Sequence, residues 1–339
     1  MEATPNAPEV DRRNFIRMLG ATALPLFAQA CERQTDGRPH VERFRALNPP
    51  ILTPCEVRRA RQNQAILSKP EWISIDPAFT EYLEVGDQCR IDRGEGHFAL
   101  YTVGEVRNES QDERIRMALA ARQRLATNSP FLASLDTQVV ADGLSDAEAA
   151  SAGEFVERLV DDGVSTSVIA IAPHGGFIER YTDDQAERVQ AALAGKGASS
   201  WLCKGFKPGG GAFARWHITS TDISPNSFPG LDQIAGRGFA YAVAFHGVSH
   251  ETVLIGGGAD YALRLAIRDA IALVMIGSGI SVEVADEDDL YNGDSPNNVV
   301  NWLTAGGTGG IQIEQSYAAR RDYGLAIADA VAAVLDLLV

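Results

Sequence analysis

Two apolar segments, residues 168–172 and 239–245, restrict the fold of this chain more than any other feature. Both lack the regular polar positions that a strand with one solvated face would show, so each is typical of a central strand covered on both faces. From about residue 131, strand-like segments alternate with longer helical patterns. The sequence therefore predicts an α/β domain with a mostly parallel or mixed sheet flanked by helices over residues 131–339.

The remaining elements of this domain follow from periodicity and from capping residues. Ser145 and Glu148 have the spacing of a capping box, so a helix should begin there. The predicted helices cover residues 145–161, 182–194, 259–276 and 318–338, and the further predicted strands cover residues 199–204, 214–219, 252–255 and 310–314.

A small β-rich domain is predicted before it, at residues 71–130. Short β-like pieces alternate with glycine-containing turns up to residue 107, and a helix is expected at about residues 112–125. Residues 31–70 are polar, arginine-rich and interrupted by prolines, which is typical of a linker. The role of the small domain stays open.

The N-terminus has the features of an export signal. Arg12 and Arg13 precede Phe15 and a short apolar run that ends in a small-x-small pattern at Ala30. We interpret residues 1–30 as a twin-arginine signal peptide, with the twin-arginine export machinery as partner and a periplasmic or extracellular location. The apolar run is too short for a stable membrane span, and none is expected in the mature chain.

Two alternatives remain for this segment. It could instead form an amphipathic N-terminal helix. Lipid attachment at Cys31 is a second alternative, because this cysteine directly follows the small residues; the leucine expected three positions earlier is replaced by Ala28, which favours simple cleavage.

The net charge of -15 argues against nucleic acid as a partner, because nucleic-acid binding needs a basic surface. An anionic substrate would have to be met by a local group of cationic side chains.

Four chemically active side chains lie at or just after the carboxyl ends of predicted strands: His174, Glu179, His246 and Glu314. In open α/β sheets, ligands bind outside these strand ends. Two histidines and one glutamate are a common ligand set for catalytic zinc. A further glutamate beside the metal can act as general base. Each residue alone also fits a buried or solvated structural role, and only their joint placement is specific.

Five ordered motifs strengthen this interpretation. They are His174-Gly175-Gly176-Phe177-Ile178-Glu179, Trp216-His217-Ile218-Thr219-Ser220-Thr221, Phe245-His246-Gly247, Ile255-Gly256-Gly257 and Gly310-Ile311-Gln312-Ile313-Glu314. Over roughly residues 130–339 the chain resembles the poly-γ-glutamate hydrolase family of zinc peptidases. The resemblance implies a carboxypeptidase-like fold, Zn²⁺ on His174, Glu179 and His246, and Glu314 as general base.

Candidate substrate-binding residues are a histidine and several cationic side chains near these motifs. His217 is a substrate contact, an oxyanion donor or a structural residue. The Gly-rich loop after Lys207 is either a lid or a surface loop. Arg320 or Arg321 is expected to bind a substrate carboxylate through both guanidinium nitrogens. The full set is His217, Arg215, Arg320, Arg321 and Lys207.

The resulting hypothesis is an exported zinc-dependent amidohydrolase that cleaves γ-glutamyl amide bonds in a polymer or peptide. A first alternative is a zinc peptidase or amidase acting on peptidoglycan stem peptides or N-acyl amino acids. A second, of a different class, is a non-catalytic binding protein of the cell envelope.

Overall fold

The computed structural model describes residues 50–62, 64–107 and 114–339. The predicted signal peptide and the first part of the predicted linker lie outside these residues. Within the described part of the chain, no helix has both the length and the apolar character needed to cross a membrane.

The first part of the described chain forms a closed barrel of six strands in the order β1-β5-β2-β4-β3-β6. Its strands are β1 (Leu52–Arg59), β2 (Trp72–Ile75), β3 (Gln88–Asp92), β4 (Phe98–Val106), β5 (Arg114–Met117) and β6 (Phe131–Asp136). The barrel encloses its own apolar core, which includes Val57, Ile73, Ile91 and Tyr101.

The barrel differs from the sequence prediction at both of its ends. Strand β1 lies inside the predicted linker, where Pro54 and its neighbouring prolines obscured the pattern, and β6 lies inside the predicted hydrolase domain. The helix predicted at residues 112–125 is wrong for its first half. Ile115 and Met117 are buried in β5 with a period of two, and a short helix α1 (Leu119–Gln123) follows.

The second part is a seven-stranded sheet in the order β12-β11-β13-β10-β8-β9-β7. The strands are β7 (Phe155–Val160), β8 (Val168–Gly176), β9 (Ser199–Gly205), β10 (Tyr241–Gly247), β11 (Thr252–Gly256), β12 (Ser281–Val284) and β13 (Gly310–Gln315). The four central strands β13, β10, β8 and β9 are parallel, whereas β7 pairs with β9 and β11 pairs with β13 in antiparallel fashion.

Helices cover both faces of this sheet. They are α2 (Asp146–Ala152), α3 (Thr182–Ala192), α4 (Ala212–Trp216), α5 (Pro229–Ile234), α6 (Tyr261–Val274), α7 (Val299–Trp302) and α8 (Tyr317–Leu335). Helices α4, α5 and α7 share an apolar core with one sheet face and with Leu100 of the barrel. Helix α8 packs against both α3 and α6, and Gln315 at the end of β13 binds Gln185 of α3. The predicted fold class, a mixed α/β sheet flanked by helices after a small β-rich domain, is confirmed.

Two predicted elements of the sheet domain are wrong. The helix that begins at the Ser145 capping box ends at Ala152, because Gly153 takes the left-handed conformation (φ 75°) that stops helices. Strand β7 then occupies the second half of the predicted helix. The strand predicted at residues 214–219 is instead helix α4 followed by a loop, and a helix of five residues is too short to reveal its periodicity.

Candidate metal centre

The site lies where the strand order reverses. The chain passes from β8 to β9 on one side, whereas β10 lies on the other side of β8. Loops at such a position diverge and leave a crevice outside the carboxyl ends of the strands. His174 lies near the end of β8 and His246 near the end of β10, so both imidazoles reach this crevice.

A tight turn brings Glu179 back towards His174. The Glu179 N–H donates to the His174 carbonyl (2.8 Å), and Gly176 takes a left-handed φ of 68° that other residues rarely adopt. Gly175 packs against the side chain of Asp183, where an added Cβ would come within 2.8 Å of the Asp183 Cβ. The two glycines therefore allow the turn and its close packing on α3.

Three ligand atoms converge in the crevice. The Nδ1 atoms of His174 and His246 lie 3.1 Å apart, and Glu179 Oε2 lies 3.2 Å from the first and 3.5 Å from the second. All three residues are buried. A zinc ion about 2.0–2.1 Å from tetrahedral ligands sets those ligands about 3.3–3.4 Å apart. The triangle therefore has the size of one face of a zinc coordination tetrahedron.

The protonation pattern of His174 also fits a metal. Its Nε2–H donates to the Ile218 carbonyl (2.8 Å), and a carbonyl can only accept, so the proton of a neutral ring lies on Nε2. The Nδ1 lone pair then faces the other two ligand atoms. A carbonyl that orients a histidine in this way is a common partner of metal-binding imidazoles.

Charge interactions inside the triad are strong. Burial alone would raise the pKa of Glu179, but the two histidines hold that pKa well below its ordinary value. Burial would likewise lower the pKa of His174, and the Glu179 carboxylate outweighs it and raises that pKa. The site therefore keeps an ionised carboxylate in a buried place, which suits a cation.

Glu314 lies beside the triad on the neighbouring strand. It is the direct register partner of His246 in the parallel pair β10 and β13, so the two side chains leave the same face of the sheet. The Gln312 amide donates to Glu314 Oε1 (3.0 Å) and orients the carboxyl group. Burial, together with the nearby Glu179 carboxylate, raises the pKa of Glu314 to about 7 despite the opposing charges of His246, His174 and Arg320. A carboxyl group of this kind can both accept and return a proton near neutral pH.

The structure distinguishes Arg320 from Arg321, which the sequence treated as equal candidates. Arg320, in the first turn of α8, is buried, and its Nε and Nη1 atoms have no hydrogen-bond partner among the described residues. Its charge interacts with Glu179 and Glu314. Arg321 is half exposed and pairs with Asp322 (2.6 Å). Arg320 is therefore the better candidate for binding an anionic group of a substrate.

Gly247 leaves the space that the Arg320 guanidinium occupies. A Cβ atom at this position would overlap Arg320 Nη1. We expect Gly247→Ala to displace the guanidinium and Arg320→Ala to remove it, so both variants should raise KM by about 10-fold or more if the guanidinium binds a substrate carboxylate through charge-assisted hydrogen bonds. Steady-state kinetics on a carboxylate-bearing substrate provide the measurement. Arg321→Ala is the matched control, and an equal effect of this control would contradict the assignment.

Lys207 and Arg215, which were also predicted to contact the substrate, bind main-chain carbonyls in the structure. The Lys207 ammonium donates to the Gly210 carbonyl within its own loop (2.7 Å). The Arg215 guanidinium donates to the Gly96 carbonyl of the barrel (2.6 Å) and covers the Phe98 ring. These contacts give no support to a substrate role for Arg215, Lys207 or Arg321, and that role stays a prediction. His217 does lie at the site, because its ring centroid is 4.3 Å from that of His174.

Two residues that contact site side chains, Gln312 and Glu71, were not assigned from the sequence. Gln312 had a detectable signal, since it lies two residues before Glu314 and must share its face of β13. Glu71 of the barrel, which contacts His217, had none, because nothing in the sequence relates two residues that are 146 positions apart.

A buried triad of metal-ligand type next to a protonatable carboxylate, at the carboxyl edge of an α/β sheet, suits the chemistry of a hydrolase. The sequence profile of the poly-gamma-glutamate hydrolase family matches residues 147–324, which is more than half of the chain. The chain therefore belongs to this family, as its motifs predicted.

Solved structures with similarity to the chain include a bacteriophage poly-gamma-glutamate hydrolase, at 26% identity over 54% of this chain and 89% of that one, with a TM-score of 0.42. Zinc-free YNDL is similar at 24% identity over the same shares, with a TM-score of 0.41. A metallo-carboxypeptidase from Burkholderia cenocepacia is similar at 10% identity over 75% of this chain and 82% of that one, with a TM-score of 0.37. A comparison with curated proteins found no match.

Proposed function

We propose that this protein is a zinc-dependent amidohydrolase that cleaves γ-glutamyl amide bonds. The observation that carries the proposal is the convergence of His174 Nδ1, His246 Nδ1 and Glu179 Oε2 beside the Glu314 carboxyl group. Membership of the poly-gamma-glutamate hydrolase family supports the choice of bond.

We assign a role to each of these residues from its position in the site. His174, Glu179 and His246 would hold the zinc ion. Zinc supplies Lewis-acid polarisation of the amide carbonyl and makes water more acidic. Glu314 takes a proton from the attacking water as the oxygen bonds to the carbonyl carbon, and returns it to the nitrogen as the carbon–nitrogen bond breaks. The products are a carboxylic acid and an amine, so water is the one co-reactant.

Arg320 gives the site a local cation although the chain as a whole carries a charge of -15. Each unit of a γ-linked glutamate chain retains a free α-carboxylate. A buried guanidinium with unpaired N–H groups matches such a carboxylate in charge and in planar geometry. This match favours a γ-glutamyl substrate over a neutral amide.

The proposal is tested with purified, zinc-loaded protein on poly-γ-glutamate and on α-linked polyglutamate of the same length. We expect chelator-sensitive shortening of the γ-linked polymer and little cleavage of the α-linked one. Peptidoglycan stem peptides, which also contain γ-glutamyl links, form a third arm. If only these peptides are cleaved, the peptides and not the polymer are the substrate. If the protein neither binds metal nor hydrolyses any of the three substrates, the binding-protein alternative is favoured.

We also propose that the chain is exported through its twin-arginine motif, Arg12-Arg13. Replacement of both arginines by lysine should retain the precursor inside the cell, because the paired guanidinium groups are the feature that the export machinery reads. Cell fractionation with an antibody against the full chain measures the distribution. Arg17→Lys, in the same segment, is the control. Unchanged export of the paired variant would contradict the proposal.

A further inference from the structure

The segment His217–Ile218, directly after α4, makes two contacts with the metal-site residue His174. The Ile218 carbonyl accepts the His174 Nε2 proton (2.8 Å), and the His217 ring lies against the His174 ring at 4.3 Å. The His217 ring also stacks on the Phe213 ring, with 4.2 Å between the ring centroids. His217 thus contacts both a metal-site imidazole and an aromatic ring, so a shift of His217 would change the packing around His174.

A side chain of the barrel holds His217 in this place. Glu71 Oε1 lies 3.4 Å from His217 Nδ1, and the two side chains are only 14% and 15% exposed. Because a carboxylate oxygen accepts, Nδ1 of His217 donates the proton of this contact. Glu71 itself is anchored, since its carbonyl accepts the Thr102 N–H of β4 at 2.8 Å.

A second barrel residue holds the backbone of the same segment. The Arg124 guanidinium donates to the Leu100 carbonyl of the barrel (2.7 Å), to the Ala214 carbonyl (2.7 Å) and to the His217 carbonyl (3.3 Å). The barrel therefore contacts both the ring and the main chain of His217. These contacts come from residues outside the 147–324 segment that matches the family profile.

We propose that Glu71 is a positioning residue of the metal centre, through which the barrel holds His217 against His174. This inference rests on the proposed zinc function and extends it to a domain for which no role was assigned. The barrel is then a structural part of the hydrolase site. Partners that orient metal-binding histidines commonly contribute about 10–100-fold in metal affinity or activity.

Zinc affinity measured by competition with a chromophoric chelator tests the proposal without relying on turnover. We expect Glu71→Ala to weaken zinc binding by about 10-fold, in the range of such orienting contacts. Glu71→Gln keeps an oxygen acceptor for the His217 proton and should have a smaller effect.

The control is Lys69→Met, which breaks another contact between the barrel and the sheet domain. The Lys69 ammonium lies 2.9 Å from Asp222 and contacts none of the metal-site residues. This variant should retain wild-type zinc affinity. Equal weakening in both variants, together with equal loss of thermal stability of the zinc-free protein, would assign Glu71 a merely structural role and overturn the proposal.

A double-mutant cycle with His217→Ala separates the remaining outcomes. If Glu71 acts through His217, then Glu71→Ala has little further effect on zinc affinity in the His217→Ala background. A full additional loss, or wild-type affinity of Glu71→Ala, would overturn the proposal while the zinc function stands. Absence of zinc binding in the wild-type protein would instead refute the proposed function itself.

Discussion

Replacement of Glu314 by glutamine should lower kcat for amide hydrolysis by about 10²–10⁴-fold, the usual contribution of a general base. Glutamine has nearly the same shape but cannot take a proton from water at neutral pH. Because Glu314 supplies none of the three converging ligand atoms, the variant should still bind zinc with the wild-type ratio of zinc to protein. The loss should therefore appear in kcat with metal content unchanged.

The measurement combines single-turnover kinetics with elemental analysis on the same preparation. Glu283→Gln, at an exposed position on β12, makes the same chemical change away from the site and serves as the control. A Glu314→Gln variant that retains most of the wild-type kcat would remove Glu314 from the mechanism.

Replacement of His246 by alanine should weaken zinc binding by about 10²–10³-fold. Structural zinc sites with four ligands have apparent binding free energies of about 10–16 kcal/mol, so one ligand accounts for roughly a quarter of that value. Hydrolysis at micromolar zinc should be lost in parallel. Isothermal titration with zinc measures the affinity directly.

His250→Ala is the matched control for this variant, because His250 is exposed and lies four positions further along the chain. Zinc should raise the Tm of the wild-type protein and of the control, since a ligand that binds the folded state stabilises it by mass action. The His246→Ala variant should show no such shift at the same zinc concentration. Wild-type zinc affinity in this variant would contradict the assignment of the triad.

The central sheet and the four principal site residues were predictable because each is encoded locally. The segments at 168–172 and 239–245 are apolar throughout. His174 and His246 come just after these segments, near the carboxyl ends of two parallel strands. The choice between Arg320 and Arg321 could not be made from the local sequence. Neighbouring residues on a helix differ by about 100° in direction, so the face that each arginine occupies depends on how α8 packs.

The extent of the barrel along the chain was underestimated for a related reason. Strand β1 pairs with β5 and β6, which lie far along the chain. Such long-range pairing is not revealed by periodicity within a sequence window. The same limitation hid Glu71, whose importance arises only when the barrel packs against the loop that carries His217.

The register of β10 and β13 also bears on how this enzyme can diversify. His246 and Glu314 are paired across two hydrogen-bonded strands, so the separation of their backbones is set by the spacing of the sheet itself, about 4.8 Å. Arg320, by contrast, lies on a helix and occupies space left by Gly247. Substitutions at Arg320 or Gly247 can therefore change substrate binding without changing the backbone separation of His246 and Glu314, which makes bond cleavage and substrate choice separately evolvable.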